Sequence, residues 1–219
     1  MTAIPTAGLV RFVHRIGRLK FLPRTGWLHC GVPPAETESV ADHAFRTALL
    51  AWLAAGLERT DGPPLDRDRV LKLALVHDLA EALAGDPTPY DPADVPAATD
   101  PVARAAFLNR RHVRSDDRRA AKHAAERAAM TDLLADLPAP LALEVRTLWE
   151  EAEAAESPEA RFVKGSDRLE RYLQSREYLA TDPDRPMDSF AADVAETPSD
   201  GTLDALRDAI RTVEVRGER

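Results

Sequence analysis

The sequence predicts an all-α protein. Apolar residues recur at three- and four-residue spacing in one segment after another, the prolines gather between those segments, and no pair of runs alternates as strands do. Leu9 to Leu19 is the first helix, with Leu9, Val10, Phe12, Val13, Ile16 and Leu19 as its apolar stripe, and Pro23 ends it. Gly26, Gly31, Pro33 and Pro34 mark Arg24 to Glu38 as a loop that carries Trp27. Ser39 reads as an N-cap with Asp42 three residues on, so the next helix runs from Val40 to about Leu57. Its stripe is Phe45, Ala48, Leu49, Trp52 and Leu53, extended by Leu50 and Leu57, and it is apolar enough to be central.

After Gly62-Pro63-Pro64, Asp66 or a neighbour caps a helix from Arg67 to Ala84, with Gly85 as its C′ residue. Five prolines make Asp86 to Pro101 a loop. A long helical stretch covers Val102 to Leu137, with a break near Ser115-Asp116-Asp117. Leu141 to Ala155 follows, with Leu143, Val145, Leu148 and Trp149 apolar, and then Glu159 to Leu179, packing through Phe162, Val163, Leu169, Tyr172 and Leu173. Met187 to Ala195 and Thr202 to Val215 are two further helices. The 219 residues suffice for one domain, 1–219, with its core at about 9–180 and a helical extension at about 187–215.

A net charge of -8 disfavours general binding of polymeric nucleic acid but leaves small anionic substrates open, since a local metal ion overrides the overall balance. Cys30 is the one cysteine, so no intrachain disulfide forms. Charged residues interrupt the first twenty positions, and no run approaches the ~20 apolar residues that span a bilayer. These features lead us to expect a cytoplasmic protein without a membrane partner.

The chemistry centres on Leu75 to Asp86. His77, Asp78 and Glu81 stand among Leu73, Ala74, Leu75, Val76, Leu79, Ala80, Ala82 and Leu83, and Gly85 and Asp86 follow. Spacings of three and four put these side chains on one face of a helix. Ionisable groups in an apolar helix require compensation, and a metal ion is the simplest form, although a buried ion pair would also serve. His43, on an apolar helix, and Asp167, on the helix from Glu159, are further candidates; singly, they also read as a hydrogen-bonded core histidine and a surface aspartate.

The ordered pattern resembles the HD-domain metal-dependent phosphohydrolases, and within them the 5′-deoxynucleotidase branch. The resemblance is carried by Arg24-Thr25-Gly26-Trp27, Glu38 to His43, Leu73 to Glu81, Gly85-Asp86 and Phe162 to Asp167, and it runs from about Arg11 to Leu179. It implies a single HD-domain helical bundle in which His43, His77, Asp78 and Asp167 hold one divalent ion. Mixed nitrogen and oxygen ligation suits Mn, Fe, Co, Ni or Zn better than Ca, and Mg is kept as a further candidate ion. It implies Glu81 and Asp86 as the catalytic carboxylates, Arg24 against phosphate and Trp27 against the nucleoside, with Lys164 and Thr88 as further substrate contacts. The activity implied is hydrolysis of (deoxy)ribonucleoside 5′-monophosphates, with another phosphorylated metabolite or a two-metal oxygenase reaction as alternatives. The oxygenase would need His112 and His123 to hold a second metal. Relatives commonly carry an Arg where this chain has His29-Cys30. The segment Phe107 to Lys122 looks longer than in relatives, and its arginines form either a solvated face or a basic flap over an anionic substrate. A homodimer is expected from the apolar surface of Leu148, Trp149 and the C-terminal helices, and because relatives dimerise.

Overall fold

Side-chain caps and prolines start most of the helices. The computed structural model describes residues 6–57, 62–198 and 200–213. Helix α1 (Thr6–Ile16) continues into a 3₁₀ turn at Gly17–Phe21, and a short α2 (Thr25–His29) follows. Helix α3 (Val40–Ala54) starts at a capping box: the Ser39 hydroxyl accepts from Asp42 N, and the Asp42 carboxylate accepts from Ser39 N. Asp66 caps α4 (Arg67–Val76) by accepting from Asp68 N and Arg69 N. The short α5 (Glu81–Ala84) and a 3₁₀ turn at Pro92–Asp94 come next. Asp100, Ser115 and Ser157 cap α6 (Pro101–Leu108), α7 (Asp116–Leu134) and α9 (Pro158–Thr181); Pro138 precedes α8 (Ala139–Ala154). Helices α10 (Asp188–Ala195) and α11 (Gly201–Thr212) end the described chain; the expected helix at 214–215 and the first residues of the domain lie outside it. Among the described residues the only β-type pairing is an isolated bridge between Pro23 and Ser39, so the all-α expectation holds.

Two apolar clusters share α3, α4 and α8. One joins Ala48, Ala51, Leu73, Phe162, Leu169 and Leu203 across α3, α4, α9 and α11. The other joins Phe12, Val40, Val76, Met130, Leu133 and Trp149 across α1, α3, α4, α7 and α8. Each fully buried Leu, Val, Met or Phe among them contributes about 1.5–3 kcal/mol. A smaller cluster, Trp27, Cys30, Leu108, Tyr178 and Met187, seals the end near α2.

The structure corrects several expectations. The helix expected over Arg67–Ala84 is interrupted: α4 stops at Val76 and His77–Ala80 form turns. The long stretch at 102–137 breaks over 109–115, and Ser115 caps the second half. On α3 the large residues of the expected stripe face outward, with Phe45 65%, Leu49 38% and Leu53 56% exposed, while its Ala48 is buried. The inward face is Val40, His43, Thr47, Ala48, Ala51 and Ala54, whose small side chains let α4 and α9 approach closely. Leu9, Val10 and Val13 of α1 are likewise exposed. Trp149, expected as surplus surface, is wholly buried.

Candidate metal centre

Three parts of the fold converge on one buried point. Helix α3 brings His43, the turns between α4 and α5 bring His77 and Asp78, and α9 brings Asp167. Those turns are held by three-residue hydrogen bonds: Leu79 N to Val76 O, Glu81 N to Asp78 O, Ala82 N to Leu79 O and Leu83 N to Ala80 O, all 3.0–3.2 Å. Such 3₁₀ winding eclipses residues three apart, so Asp78 and Glu81 leave the backbone on the same side. Gly85, at φ 81° and ψ 174°, then turns the chain sharply towards Asp86; that backbone region is open essentially to glycine alone.

Both histidines have one ring nitrogen committed. His43 Nδ1 lies 2.5 Å from Glu170 Oε2, and His77 Nδ1 lies 2.7 Å from the carbonyl oxygen of Ala74. Each Nδ1–H donates there, which turns Nε2 inward. His43 Nε2 is 3.1 Å from Asp167 Oδ1 and 3.6 Å from Asp78 Oδ2, and His77 Nε2 is 3.3 Å from Asp78 Oδ2. Both Nε2 atoms are buried without a conventional hydrogen-bond partner. In that tautomer a lone pair faces carboxylate oxygens, an arrangement that demands a cation between them. The ligand atoms of His43, His77 and Asp167 lie within 4.8 Å of one another. The four expected ligands are thus brought together, and their donor set fits a divalent ion.

The electrostatics carry the same message. Burial and Arg24 lower the pKa of His43, but the neighbouring carboxylates of Asp167 and Glu170 outweigh them and raise it to about 9. Burial pulls His77 down, yet the Asp78 carboxylate carries it above the usual imidazole value. Asp78 and Asp167 would be raised by burial, but His77 for the one and Arg171 with His43 for the other hold them below the usual carboxylate range.

Beside the ligands lie the two expected catalytic carboxylates. Arg24 Nη1 is 3.2 Å from Asp86 Oδ1, 3.5 Å from Asp78 Oδ2 and 3.7 Å from Glu81 Oε2. Asp86 Oδ2 accepts from Thr25 N at 2.7 Å, so both its oxygens are engaged. Glu81 is 5% exposed, and its Oε2 has no hydrogen-bond partner. Burial, followed by the charges of Asp78 and Asp86, pushes its carboxyl well above the usual range. A cavity of about 1000 Å³ opens over this group.

Arg24, Trp27, Thr88 and Lys164 all line that cavity. Trp27 does so from within the core: it is 1% exposed, it stacks on Phe190 at 4.2 Å between ring centroids, and its Nε1 donates to Glu38 Oε1 at 2.8 Å. Thr88 is buried and donates to Tyr90 O, whereas Lys164 is exposed on α9 one turn before Asp167. His112 and His123 also line the cavity: His112 Nε2 lies 2.8 Å from Phe107 O, and the exposed His123 groups with Glu126 and Glu153. Neither joins the His43 group. Cys30 Sγ donates to Pro186 O, and burial raises its thiol to about 12.

Some functional residues carry no sequence signal. Glu170 is wholly buried and holds both His43 and Arg46, the latter at 2.6 Å, yet within Arg168-Leu169-Glu170-Arg171 it looks like part of a solvated charged face. Arg171 pairs with Asp167 at 3.2 Å and with Asp193 of α10 at 3.2 Å, which brings α10 into the cavity wall.

Comparison with known proteins agrees with this geometry. Residues 16–200 match the family model described as HD domain. The chain is 37% identical over 186 residues to the 5′-deoxynucleotidase HDDC2 of Mus musculus, covering 84% of this chain and 77% of that protein. It is 34% identical to the 5′-deoxynucleotidase hdd1 of Schizosaccharomyces pombe, covering 81% and 76%. The fold is similar to the crystal structure of a Pyrococcus horikoshii protein, with a TM-score of 0.64 at 27% identity, covering 93% of this chain and 96% of that one.

Proposed function

The chain belongs to the HD-domain family, and from that premise we propose that it is a metal-dependent phosphomonoesterase releasing phosphate from (deoxy)ribonucleoside 5′-monophosphates. One observation carries the reading: two buried imidazole Nε2 atoms without hydrogen-bond partners face the carboxylates of Asp78 and Asp167, at the floor of a cavity lined by Arg24, Glu81 and Asp86. The similar proteins of mouse and fission yeast bear the name 5′-deoxynucleotidase, which supports the substrate class.

His43, His77, Asp78 and Asp167 hold one divalent ion in this reading. When bound, the ion neutralises phosphate charge and acidifies water. Arg24 supplies the second positive charge for the phosphate dianion and orients it by the planar fork of its guanidinium. Asp86, fixed by Thr25 N and Arg24, is placed to align the attacking water. Glu81 has one uncommitted oxygen and a raised pKa, which suits it to hand a proton to the leaving 5′-oxygen. Trp27 backs the nucleoside side of the cavity, Thr88 offers a hydroxyl oxygen towards the sugar, and Lys164 stands at the rim.

Among the described residues no helix is long and apolar enough to cross a membrane. The lone buried cysteine fits the cytoplasmic setting proposed here. The homodimer belongs on the outer face of α3, where Phe45, Leu49 and Leu53 stand at four-residue spacing, all exposed.

The test is phosphate release from dAMP, dUMP and AMP by purified protein supplied with Mn, Co or Mg. Release at least tenfold above His77→Ala is expected, since that variant removes an ion ligand. Equal rates for the two proteins would overturn the proposal.

A further inference from the structure

Most of the cations that line the cavity are paired. Arg24 meets Asp86, Arg111 and Arg168 share Asp193, Arg119 meets Asp116, and Lys122 meets Glu126. Arg114 differs. Among the described residues no carboxylate lies within ion-pair distance of it, and its guanidinium donates to the carbonyl oxygen of Pro87, the residue after Asp86. Lys164 and Arg127 also lack a carboxylate, but they are exposed and water solvates them. Arg114 is partly buried, so its charge is only partly solvated. Holding a desolvated cation without a counter-ion is costly, and a bound anion removes that cost.

Its position says which anion. Arg114 sits in the 109–115 connector that crosses the cavity between α6 and α7. Its charge is felt by Glu126, Asp86 and Glu81, and burial nonetheless keeps its pKa below the usual guanidinium value. Pro87 O anchors the guanidinium beside the catalytic carboxylates and leaves its remaining N–H groups for a ligand. We propose that Arg114 is a phosphate-binding residue, receiving the substrate's phosphate opposite Arg24, so that the arginine-rich connector forms one jaw of the anion site. This rests on the phosphomonoesterase reading above.

The competing explanation is that Arg114 only staples the connector to the Pro87 loop. Arg118 provides the control: it lies on α7 just beyond the connector and donates to Tyr90 O and to the Asp91 carboxylate, so it staples the same loop with its charge already paired. The experiment titrates inorganic phosphate, and separately deoxyadenosine, into Mn-loaded protein by calorimetry. It uses wild type, Arg114→Ala, Arg114→Lys and Arg118→Ala, each checked by thermal melting. Losing charge-assisted hydrogen bonds to phosphate should weaken its binding to Arg114→Ala by about tenfold or more. Arg114→Lys, which keeps the charge and the fold but loses the fork, falls between. Deoxyadenosine binding stays unchanged, and Arg118→Ala binds phosphate as wild type does. Three results would overturn the proposal: no phosphate binding by wild type, equal binding by wild type and both Arg114 variants, or an equal loss in Arg118→Ala. Because no turnover is needed, phosphate binding through Arg114 without phosphate release from dAMP would sink the hydrolase reading and leave this one standing.

Discussion

Replacing Glu170 by glutamine weakens metal binding while leaving the fold in place. Glu170 is wholly buried, with Oε2 on His43 Nδ1 at 2.5 Å and Oε1 on Arg46 Nε at 2.6 Å. Glutamine keeps one acceptor oxygen but sets an NH₂ group against one of two donors, and it removes the charge that makes the far nitrogen of His43 a strong ligand. Partners of this kind are worth about 10–100-fold in metal affinity, or about 1.4–2.7 kcal/mol. The cost to the metal-free fold is limited, because Arg46 retains Glu177 and Gln174 at 2.9 Å. One charged hydrogen bond lost costs about 1–3 kcal/mol, and each kcal/mol lowers Tm by about 2–4 °C in a chain of this length. The assay is a competition titration of Mn or Zn against a chromogenic chelator, with melting of the metal-free protein alongside. A folded Glu170→Gln protein that binds metal as tightly as wild type would refute the idea that Glu170 tunes His43.

Further outcomes follow from the same geometry. The folded pKa of His43, about 9, exceeds its unfolded value of about 6.5. Its stabilisation of the metal-free protein is therefore full below pH 6.5 and lost as pH rises through 9, so Tm falls across that window, whereas metal affinity rises as the imidazole protons leave; melts with and without Mn at pH 6.5 and 9 check both. Trp27→Ala empties a buried, stacked site and should cost about 3–5 kcal/mol, seen as a lower urea midpoint rather than only a raised KM. Gly8→Ala places a Cβ 2.0 Å from the backbone oxygen of Asp136, so it destabilises although alanine favours a helix by about 1 kcal/mol; a raised Tm would contradict that contact. Phe45→Glu with Leu53→Glu should yield a particle of 24.0 kDa in sedimentation with metal binding intact, whereas an unchanged dimer would move the interface off α3.

Of the four proposed ligands, His77 and Asp78 stood out among apolar neighbours, whereas His43 and Asp167, each inconclusive alone, entered through their order along the chain and the resemblance to the HD-domain phosphohydrolases. Glu81 and Asp86 were assigned their roles by the same resemblance. Glu170 left no such mark, because its neighbours are arginines and its burial arises only when α3 lies against α9. On α3 the periodicity revealed a stripe but not its direction. Phe45, Leu49 and Leu53 outweigh Ala48, Ala51 and Ala54 in apolar area, yet the small residues face the core because they leave room for His43. The break at His77 was equally hidden: Leu75 to Ala84 holds no proline or glycine to mark it, and the switch to three-residue hydrogen bonds is seen only in the folded chain. Trp27 matched its expected place but not its expected freedom, since Phe190 occupies one face of the ring.

The separation of the ligands along the chain has a consequence of its own. With one cysteine, this protein has no covalent means of tying distant segments together. An ion held by position 43 at one end and position 167 at the other would be a reversible cross-link over most of the chain, engaging folded but not unfolded molecules. Such a ligand stabilises by about 2.7 kcal/mol at a free concentration one hundred times its Kd. The ion that serves the reaction would therefore also set how long the polypeptide survives, and metal supply would govern its abundance as well as its turnover.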